Sequence, residues 1–209
     1  MKRMWYRLRA VPFISIGLVS INVIFYVLNT LWNEKLLIMG NLNVYDVLIA
    51  KEYERIVFAM FLHADLNHLF NNMIILLFMG NVLEKAVGHF SFAAIYLLSG
   101  ICGNVCSLIY KLAADRMSLS IGASGAIFGM DGLLLVLVLF AGRRISGITP
   151  VRVLFMVGLS LYNGFTSRNI DNAAHVGGLL AGFLLGRLFC VVQHVKYNMK
   201  ERGNRDDER

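Results

Sequence analysis

Residues Phe13–Leu31, FISIGLVSINVIFYVLNTL, form a run of 19 residues without a charged side chain. A helix that crosses the hydrocarbon core of a bilayer needs about 20 such residues. The run follows four basic residues, Lys2, Arg3, Arg7 and Arg9. A cleaved signal peptide is the alternative, but the run is long for the apolar part of one and no small-x-small cleavage site follows it. We therefore predict an uncleaved first membrane span.

The composition of the whole chain favours a membrane protein. Of its 209 residues, 57% are hydrophobic and 16% are charged, whereas a soluble domain is typically about 45–50% apolar and about 25% charged. These values exclude a disordered chain, a collagen and a coiled coil, and three cysteines do not make a disulfide framework. A net charge of +7 could indicate nucleic-acid binding. In so apolar a chain we interpret it as basic residues flanking membrane spans, and expect no nucleic-acid partner.

Five further apolar segments bring the prediction to six spans. They cover approximately residues 66–83, 90–112, 125–141, 151–165 and 173–192. The predicted fold is therefore all-α, a polytopic membrane protein with a bundle of six transmembrane helices. Its predicted organisation is a basic cytoplasmic N-terminus over residues 1–12, a membrane domain over residues 13–193 and a polar cytoplasmic tail over residues 194–209.

The distribution of basic residues predicts the orientation of this bundle. With the N-terminus inside, the outside segments hold six of the 20 Lys and Arg residues and the inside segments hold the other fourteen. The outside six are Lys35, Lys51, Arg55, Lys111, Arg116 and Arg168. Because basic residues are enriched in cytoplasmic segments, both termini are predicted to be inside (N-in/C-in). The long connection over residues 32–65 is then outside, either as an element lying partly in the membrane interface or as an ordinary extracellular loop.

Under this topology four polar residues lie at a similar depth in the membrane. His68 and Asn72 lie in the first turns of the second span, Ser124 starts the fourth and His175 lies one turn into the sixth. All three spans run inward from the outer surface. Polar groups in a membrane are costly and usually face the bundle interior or a water-filled cavity. The topology therefore brings a nucleophile, a candidate base and an amide together near the outer face.

Glycines indicate which sides of two of these spans meet. Spaced three, four and seven residues apart, they form one stripe on each helix. They are Gly122, Gly125, Gly129 and Gly132 beside Ser124, and Gly178, Gly182 and Gly186 in line with His175. Small residues let two helix backbones approach closely, and packing of the stripes would bring His175 toward Ser124. The alternative is packing alone, with His175 a buried histidine whose hydrogen bonds are satisfied.

These residue types suit acyl transfer. A serine hydroxyl is a weak nucleophile until an adjacent base accepts its proton, which histidine does near neutral pH. A helix N-terminus supplies N–H groups and the positive end of the helix dipole to the oxyanion of a tetrahedral intermediate. Asn72 and His68, one turn apart, can aim further donors at that oxyanion.

Three motifs resemble those of the rhomboid intramembrane serine proteases. Residues 122–129, GASGAIFG, resemble the nucleophile motif GxSGxxxG of that family. Residues 63–72, HADLNHLFNN, are similar to its HxxxxHxxxN segment, and residues 172–182, NAAHVGGLLAG, to its AHxxGxxxG segment. The resemblance covers about residues 10–192, including a GxxxE at residues 80–84. A GxSG alone would be a weak signal, whereas the three motifs in this order are specific.

The resemblance implies a six-helix intramembrane serine endopeptidase without cofactor or metal. Ser124 would be the nucleophile and His175 the general base, a pair without a third acid that acts through an acyl-enzyme. The side chains of Asn72 and His68 and the backbone N–H of Ser124 would form the oxyanion hole. Substrates would be single-span or polytopic membrane proteins cut near the outer face of the bilayer. The expected location is a bacterial cell (inner) membrane.

Several residues leave alternatives open. Phe128 lies where the family often has an aromatic ring beside the histidine, and core packing is its other role. Residues 53–55, Tyr-Glu-Arg, keep the arginine of a Trp-Arg pair common in the first outside loop, and this departure puts the anchoring of the loop in doubt. Asp131 lies seven residues below Ser124, about 10 Å of helix rise. A structural acid is therefore favoured over the third member of a triad.

Other classes of protein fit the sequence less well. A zinc protease is disfavoured because His63 and His68 are five residues apart and no HExxH motif is present; His63 is expected to direct the loop into the second span. An aspartyl protease would need a second acid facing Asp131. A small transporter would use Asp131 as its ion site. A catalytically silent rhomboid-like protein that binds client transmembrane helices is the main alternative, but such relatives typically lack the serine or the histidine.

Overall fold

The computed structural model of the protein describes residues 11–140, 149–166 and 170–206. Six long helices lie within these ranges: α1 (Phe13–Leu31), α2 (Leu66–Val87), α3 (His89–Ala113), α4 (Ser124–Phe140), α5 (Pro150–Thr166) and α6 (Asn172–Asp206). Over the same residues the only extended pairing is one β-bridge between Leu42 and Ser120. The predicted all-α fold is confirmed.

Four of the described helices are long and apolar enough to cross a membrane, namely α1, α2, α3 and residues Asn172–Val195 of α6. Helix α4 is also apolar but has 17 residues, as does α5. Helix α6 continues to Asp206, into the predicted polar tail. The basic residues at 1–10, Arg143, Arg144 and Arg168, on which much of the orientation rests, lie outside the described residues. The orientation and the number of spans therefore stay predictions.

Helix α1 turns three of its polar side chains toward the bundle and several of its apolar side chains outward, while Ser20 and Thr30 are exposed. Ser15, Asn22 and Asn29 are buried, whereas Ile24 and Val27 are exposed. The Asn22 amide donates to the carbonyl of Leu18 (2.8 Å), and the side-chain oxygen of Asn29 accepts from the backbone N–H of Leu37 (2.9 Å). Because lipid offers no hydrogen bonds, a membrane helix turns its polar groups inward and satisfies them there.

Helix α4 lies at the centre of the bundle, in backbone contact with α6. A Cβ atom added to Gly178 would lie 2.0 Å from the carbonyl oxygen of Gly125, and one added to Gly182 would lie 1.9 Å from that of Gly129. A Cβ at Gly132 would lie 2.2 Å from the carbonyl oxygen of Leu179. Real Cβ contacts are not this short, so the two helices approach each other this closely only because these positions are glycines.

One end of the bundle is held by the buried carboxylate of Glu84, the acid of the GxxxE segment. It accepts hydrogen bonds from the backbone N–H groups of Ile14 (3.0 Å) and Ser15 (2.8 Å) and from the Ser15 hydroxyl (2.6 Å). His89 Nδ1 lies 2.5 Å from the same carboxylate. The end of α2 thus caps the start of α1 and pairs with the start of α3.

The connection between α1 and α2 is a packed structure built around Arg55. It contains short helical segments at Lys35–Gly40, Tyr45–Ile49, Arg55–Phe58 and Ala59–Phe61. The buried guanidinium of Arg55 donates to the carbonyls of Ile38 (3.1 Å) and Asn41 (3.0 Å) and pairs with Asp46 (3.1 Å) and Glu52 (2.5 Å). Arg55 therefore anchors the loop although Glu54 stands where the family commonly has tryptophan.

The contact between α4 and α6 predicts a position-specific cost for alanine. Gly182→Ala places a Cβ against the Gly129 carbonyl and is expected to lower the free energy of unfolding by about 3 kcal/mol, at the upper end of the usual cost of overpacking. Gly158→Ala is the matched control, since no atom lies within 4 Å of its added Cβ on α5. It should stay within about 1 kcal/mol of the wild type. Unfolding titrations in mixed micelles measure both, and equal stability of the two variants would refute the contact.

Candidate active site

Ser124 and His175 lie at hydrogen-bond distance where α4 and α6 begin. Ser124 is the first residue of α4, and His175 lies in the first turn of α6. His175 Nε2 is 2.9 Å from Ser124 Oγ. The imidazole is buried, whereas the serine is half-buried. The pair can therefore exchange a proton and is open to a reactant on the serine side.

An aromatic ring holds the imidazole in place. Phe128, one turn after Ser124, stacks on His175 with ring centroids 4.3 Å apart and an angle of 15° between the planes. Within the described part of the chain, the buried Nδ1 of His175 has no hydrogen-bond partner. Asp131 is half-buried further along α4, about 10 Å from Ser124 by helix rise. The orientation of the histidine thus depends on stacking and on its own helix, with no carboxylate at Nδ1.

His68 and Asn72 lie beside the turn that leads into Ser124. This turn contains Gly122, whose φ is +118° and whose backbone N–H donates to the carbonyl of Ala59 (2.8 Å). A Cβ added at Gly122 would lie 2.8 Å from His68 Nε2 and 3.6 Å from Asn72 Nδ2. The two predicted donors are therefore packed against the backbone two residues before Ser124. Because Ser124 begins α4, its backbone N–H also belongs to the first turn, whose donors lack partners within the helix.

His63, which was expected only to direct the loop into the second span, forms a hydrogen bond with Asn72. His63 is buried, its Nε2 lies 3.0 Å from Asn72 Nδ2, and its ring meets that of His68 edge-on, with centroids 4.9 Å apart. Burial, reinforced by His68, lowers the pKa of His63 to about 3. The ring is therefore neutral near pH 7 and, with its proton on Nδ1, accepts one Asn72 amide hydrogen. The second amide hydrogen is left to donate elsewhere.

A polar cluster beside Ser124 and His175 was not predicted from the sequence. Asp171, just before α6, accepts a hydrogen bond at Oδ1 from the backbone N–H of Ala174 (3.0 Å) and at Oδ2 from the hydroxyls of Ser107 and Ser120. Lys111 Nζ lies 3.4 Å from Oδ2 and donates to Ser120 Oγ. We call Asp171, Ser107, Ser120 and Lys111 the Asp171 clamp. Lys111, counted above as an outside loop residue, is buried in the last turn of α3.

The Asp171 carboxylate is ionised in this setting. Burial alone would raise its pKa, but the hydrogen bonds from Ser107, Ser120 and the Ala174 N–H, together with the Lys111 charge, hold the pKa below its usual value. Donors and an opposite charge stabilise the ionised form more than burial destabilises it. The clamp is therefore a charge-assisted network.

Over the described ranges, no group of three or more His, Cys, Asp or Glu side chains could hold a metal ion. The 2.9 Å contact allows proton transfer between Ser124 and His175, with amide and imidazole donors close by.

The fold and site define an all-helical integral membrane protein with a Ser–His pair at one end of its helix bundle. Residues 50–192 match the family model of the Rhomboid domain. The chain therefore belongs to the rhomboid family.

Similar proteins come from plants and bacteria. RHOMBOID-like protein 7 of Arabidopsis thaliana is 34% identical over 165 residues, which cover 78% of this chain and 50% of that protein. The rhomboid protease GluP of Bacillus subtilis (strain 168) is 34% identical over 132 residues, 63% of this chain and 25% of GluP. YdcA of the same strain is 37% identical over 141 residues, 67% of this chain and 68% of YdcA. The chain spans about half the length of the plant relatives it matches.

The buried neutral His63 predicts a pH dependence of stability. In the unfolded chain its ring protonates below about pH 6.5, whereas in the folded protein it does so only near pH 3. Between these values the unfolded state binds more protons, so stability falls as pH falls, by up to about 1.4 kcal/mol per pH unit. His63→Gln removes this contribution, and its unfolding free energy should depend less on pH between 6.5 and 4. Identical slopes for the wild type and His63→Gln would contradict burial of a neutral His63.

Proposed function

We propose that this protein is an intramembrane serine endopeptidase. The observation that carries the proposal is the 2.9 Å contact between His175 Nε2 and Ser124 Oγ inside a bundle of membrane helices. Membership of a family that includes proteins named as proteases, such as GluP, supports it. Ser124 is the nucleophile and His175 the general base.

The proposed reaction has two acyl-transfer steps. His175 Nε2 accepts the hydroxyl proton as Ser124 Oγ attacks the scissile carbonyl carbon, whose π electrons move to its oxygen. The oxyanion then re-forms the carbonyl as the C–N bond breaks, and the imidazolium gives its proton to the departing amine, which leaves an acyl-enzyme on Ser124. In the second step His175 takes a proton from water as the water oxygen attacks the acyl carbon. The second oxyanion collapses as the bond to Ser124 Oγ breaks, and the imidazolium returns its proton to that oxygen. Each step begins and ends with a neutral histidine.

The oxyanion of each tetrahedral intermediate needs donors in place before it forms. In the proposed mechanism these are the Asn72 amide, the His68 side chain and the backbone N–H of Ser124. The packing of His68 and Asn72 against Gly122 supports this assignment, as does the hydrogen bond that the Asn72 amide donates to His63 Nε2, which restricts that amide. Removal of one such donor typically lowers the rate about 10²–10³-fold.

The serine, the histidine and one oxyanion donor can be tested separately. Ser124→Ala and His175→Ala are expected to abolish cleavage of a reporter with one transmembrane helix by the purified protein in proteoliposomes. Asn72→Ala should lower kcat about 10²–10³-fold. Ser20→Ala, which removes an exposed hydroxyl bonded to the carbonyl of Ile16 on α1, is the matched control and should cleave at the wild-type rate. Cleavage retained by Ser124→Ala would refute the proposal, and reporter binding by a wild type that never cleaves would favour a client-binding protein.

The proposal extends to the surroundings of the site. Residues 13–193 form a membrane domain of six spans with both termini in the cytoplasm, so the site lies near the outer face. Substrates are single-span or polytopic membrane proteins, cut where their helices leave the bilayer. A bacterial cell membrane is the proposed location, and the surplus of basic residues in inside segments supports the orientation.

Reporter fusions in a bacterial host test the orientation. Alkaline phosphatase, which is active only outside the cytoplasm, is expected to be inactive when fused after Arg209. When it is fused after Met117, in the connection between α3 and α4, it should be active. The reverse pattern would overturn the N-in/C-in topology.

A further inference from the structure

Resting on the function proposed above, we infer that Asp171 is a positioning residue that sets the height of His175 against Ser124 through the Asp171 clamp. Asp171 does not contact the reacting atoms in this arrangement. It acts through the helix start that carries the histidine and through the segment that carries the serine.

Asp171 holds the first turn of α6, which carries His175. Asp171 stands four residues before His175, and its side chain accepts from the backbone N–H of Ala174 (3.0 Å) while its backbone carbonyl accepts from that of His175 (3.2 Å). Both hydrogen bonds stabilise the helical turn that carries the His175 imidazole. Displacement of the Asp171 carboxylate would therefore move or fray this turn.

Asp171 also binds the segment that precedes α4. Ser120 stands four residues before Ser124, its hydroxyl donates to the Asp171 carboxylate, and its backbone exchanges two hydrogen bonds of 2.9 Å with Leu42. Ser107 and Lys111 hold the other side of the clamp from α3, and both are buried. A single carboxylate thus joins the starts of the two helices that bear Ser124 and His175 to a third helix.

The contacts between the glycines of α4 and α6 do not by themselves fix the height of His175 against Ser124. Glycine stripes fix how closely α4 and α6 approach, but they carry no side-chain ridges to interlock against sliding along the helix axis. A hydrogen bond of 2.9 Å is lost when its atoms separate beyond about 3.5 Å. A misplacement of about 1 Å can lower a rate about 10²-fold. Side chains of α4 and α6 also meet, as Phe140 does with Phe183 and Arg187, but far along the helices from Ser124. At the start of the two helices the Asp171 clamp is placed where it can restrain their relative height.

Three variants separate positioning from general stability. In Asp171→Ala, kcat for the reporter and the rate of Ser124 labelling by a fluorophosphonate are expected to fall about 10- to 100-fold with KM unchanged. Asp171→Asn keeps a helix cap and an acceptor for the serine hydroxyls, and should recover activity to within about 10-fold of the wild type. Ser15→Ala is the matched control, because it removes a buried serine–carboxylate bond at Glu84, on another part of the bundle. It should lower the unfolding temperature without changing labelling or kcat by more than about twofold.

The outcomes distinguish the clamp from the proposed function. If the wild type cleaves and Asp171→Ala loses unfolding temperature but keeps kcat and labelling, the positioning role is refuted while the protease remains. If the wild type is labelled but does not cleave, the protease function is refuted, and the labelling rates of the variants still test the positioning role of Asp171. If the wild type is neither labelled nor active, both are refuted. Should Asp171→Ala not fold, Ser120→Ala removes only one bond of the clamp and is expected to slow labelling by about 3- to 10-fold.

Discussion

The direct backbone contact between α4 and α6 is the constraint on which the rest of this structure depends. Apolar side chains gain little by leaving lipid for one another, so membrane helices associate through close packing and hydrogen bonds. Glycines at positions 125, 129, 178 and 182 remove the side chains that would keep the two helices apart. Because Ser124 and His175 begin the same two helices, their short contact is a consequence of that approach. The arrangement of the Ser–His pair and the helix packing are one feature.

Two carboxylates join helices of the bundle at positions where a helix begins. The Glu84 carboxylate caps α1, and the Asp171 carboxylate caps α6; each also binds side chains from another helix. In a medium without water such bonds are strong, and an unpaired group is costly. Between them α4 is buried over most of its length, although Ser99 and Asn22 are also buried in the interior. The charged groups Glu84 and Asp171 lie where they hold helices in register.

The sequence predicts much of this arrangement, for reasons that are local or topological. Apolar runs locate the helix boundaries to within a few residues, as for 66–83 against Leu66–Val87, except at the end of α6, which continues to Asp206. Glycine spacing orients His175 toward α4. What it does not predict depends on long-range contacts: Asp171 meets Ser120 and Ser107 across 51 and 64 residues, with no local pattern to indicate the pairing. Burial of Lys111 likewise depends on that partner. His63 could have been identified from its place in the HxxxxHxxxN segment, nine residues before Asn72.

Gly122 shows how tightly the turn before Ser124 is restricted. Its φ of +118° is one that other residues rarely adopt, and a Cβ there would also strike the His68 ring. The two restrictions are independent, because a smaller neighbour in place of His68 would remove the clash but not the backbone strain. No single second-site change can therefore restore a larger residue at position 122. A redesign of this protein should therefore keep Gly122 and the backbone of its turn, and place substitutions in the side chains around that turn.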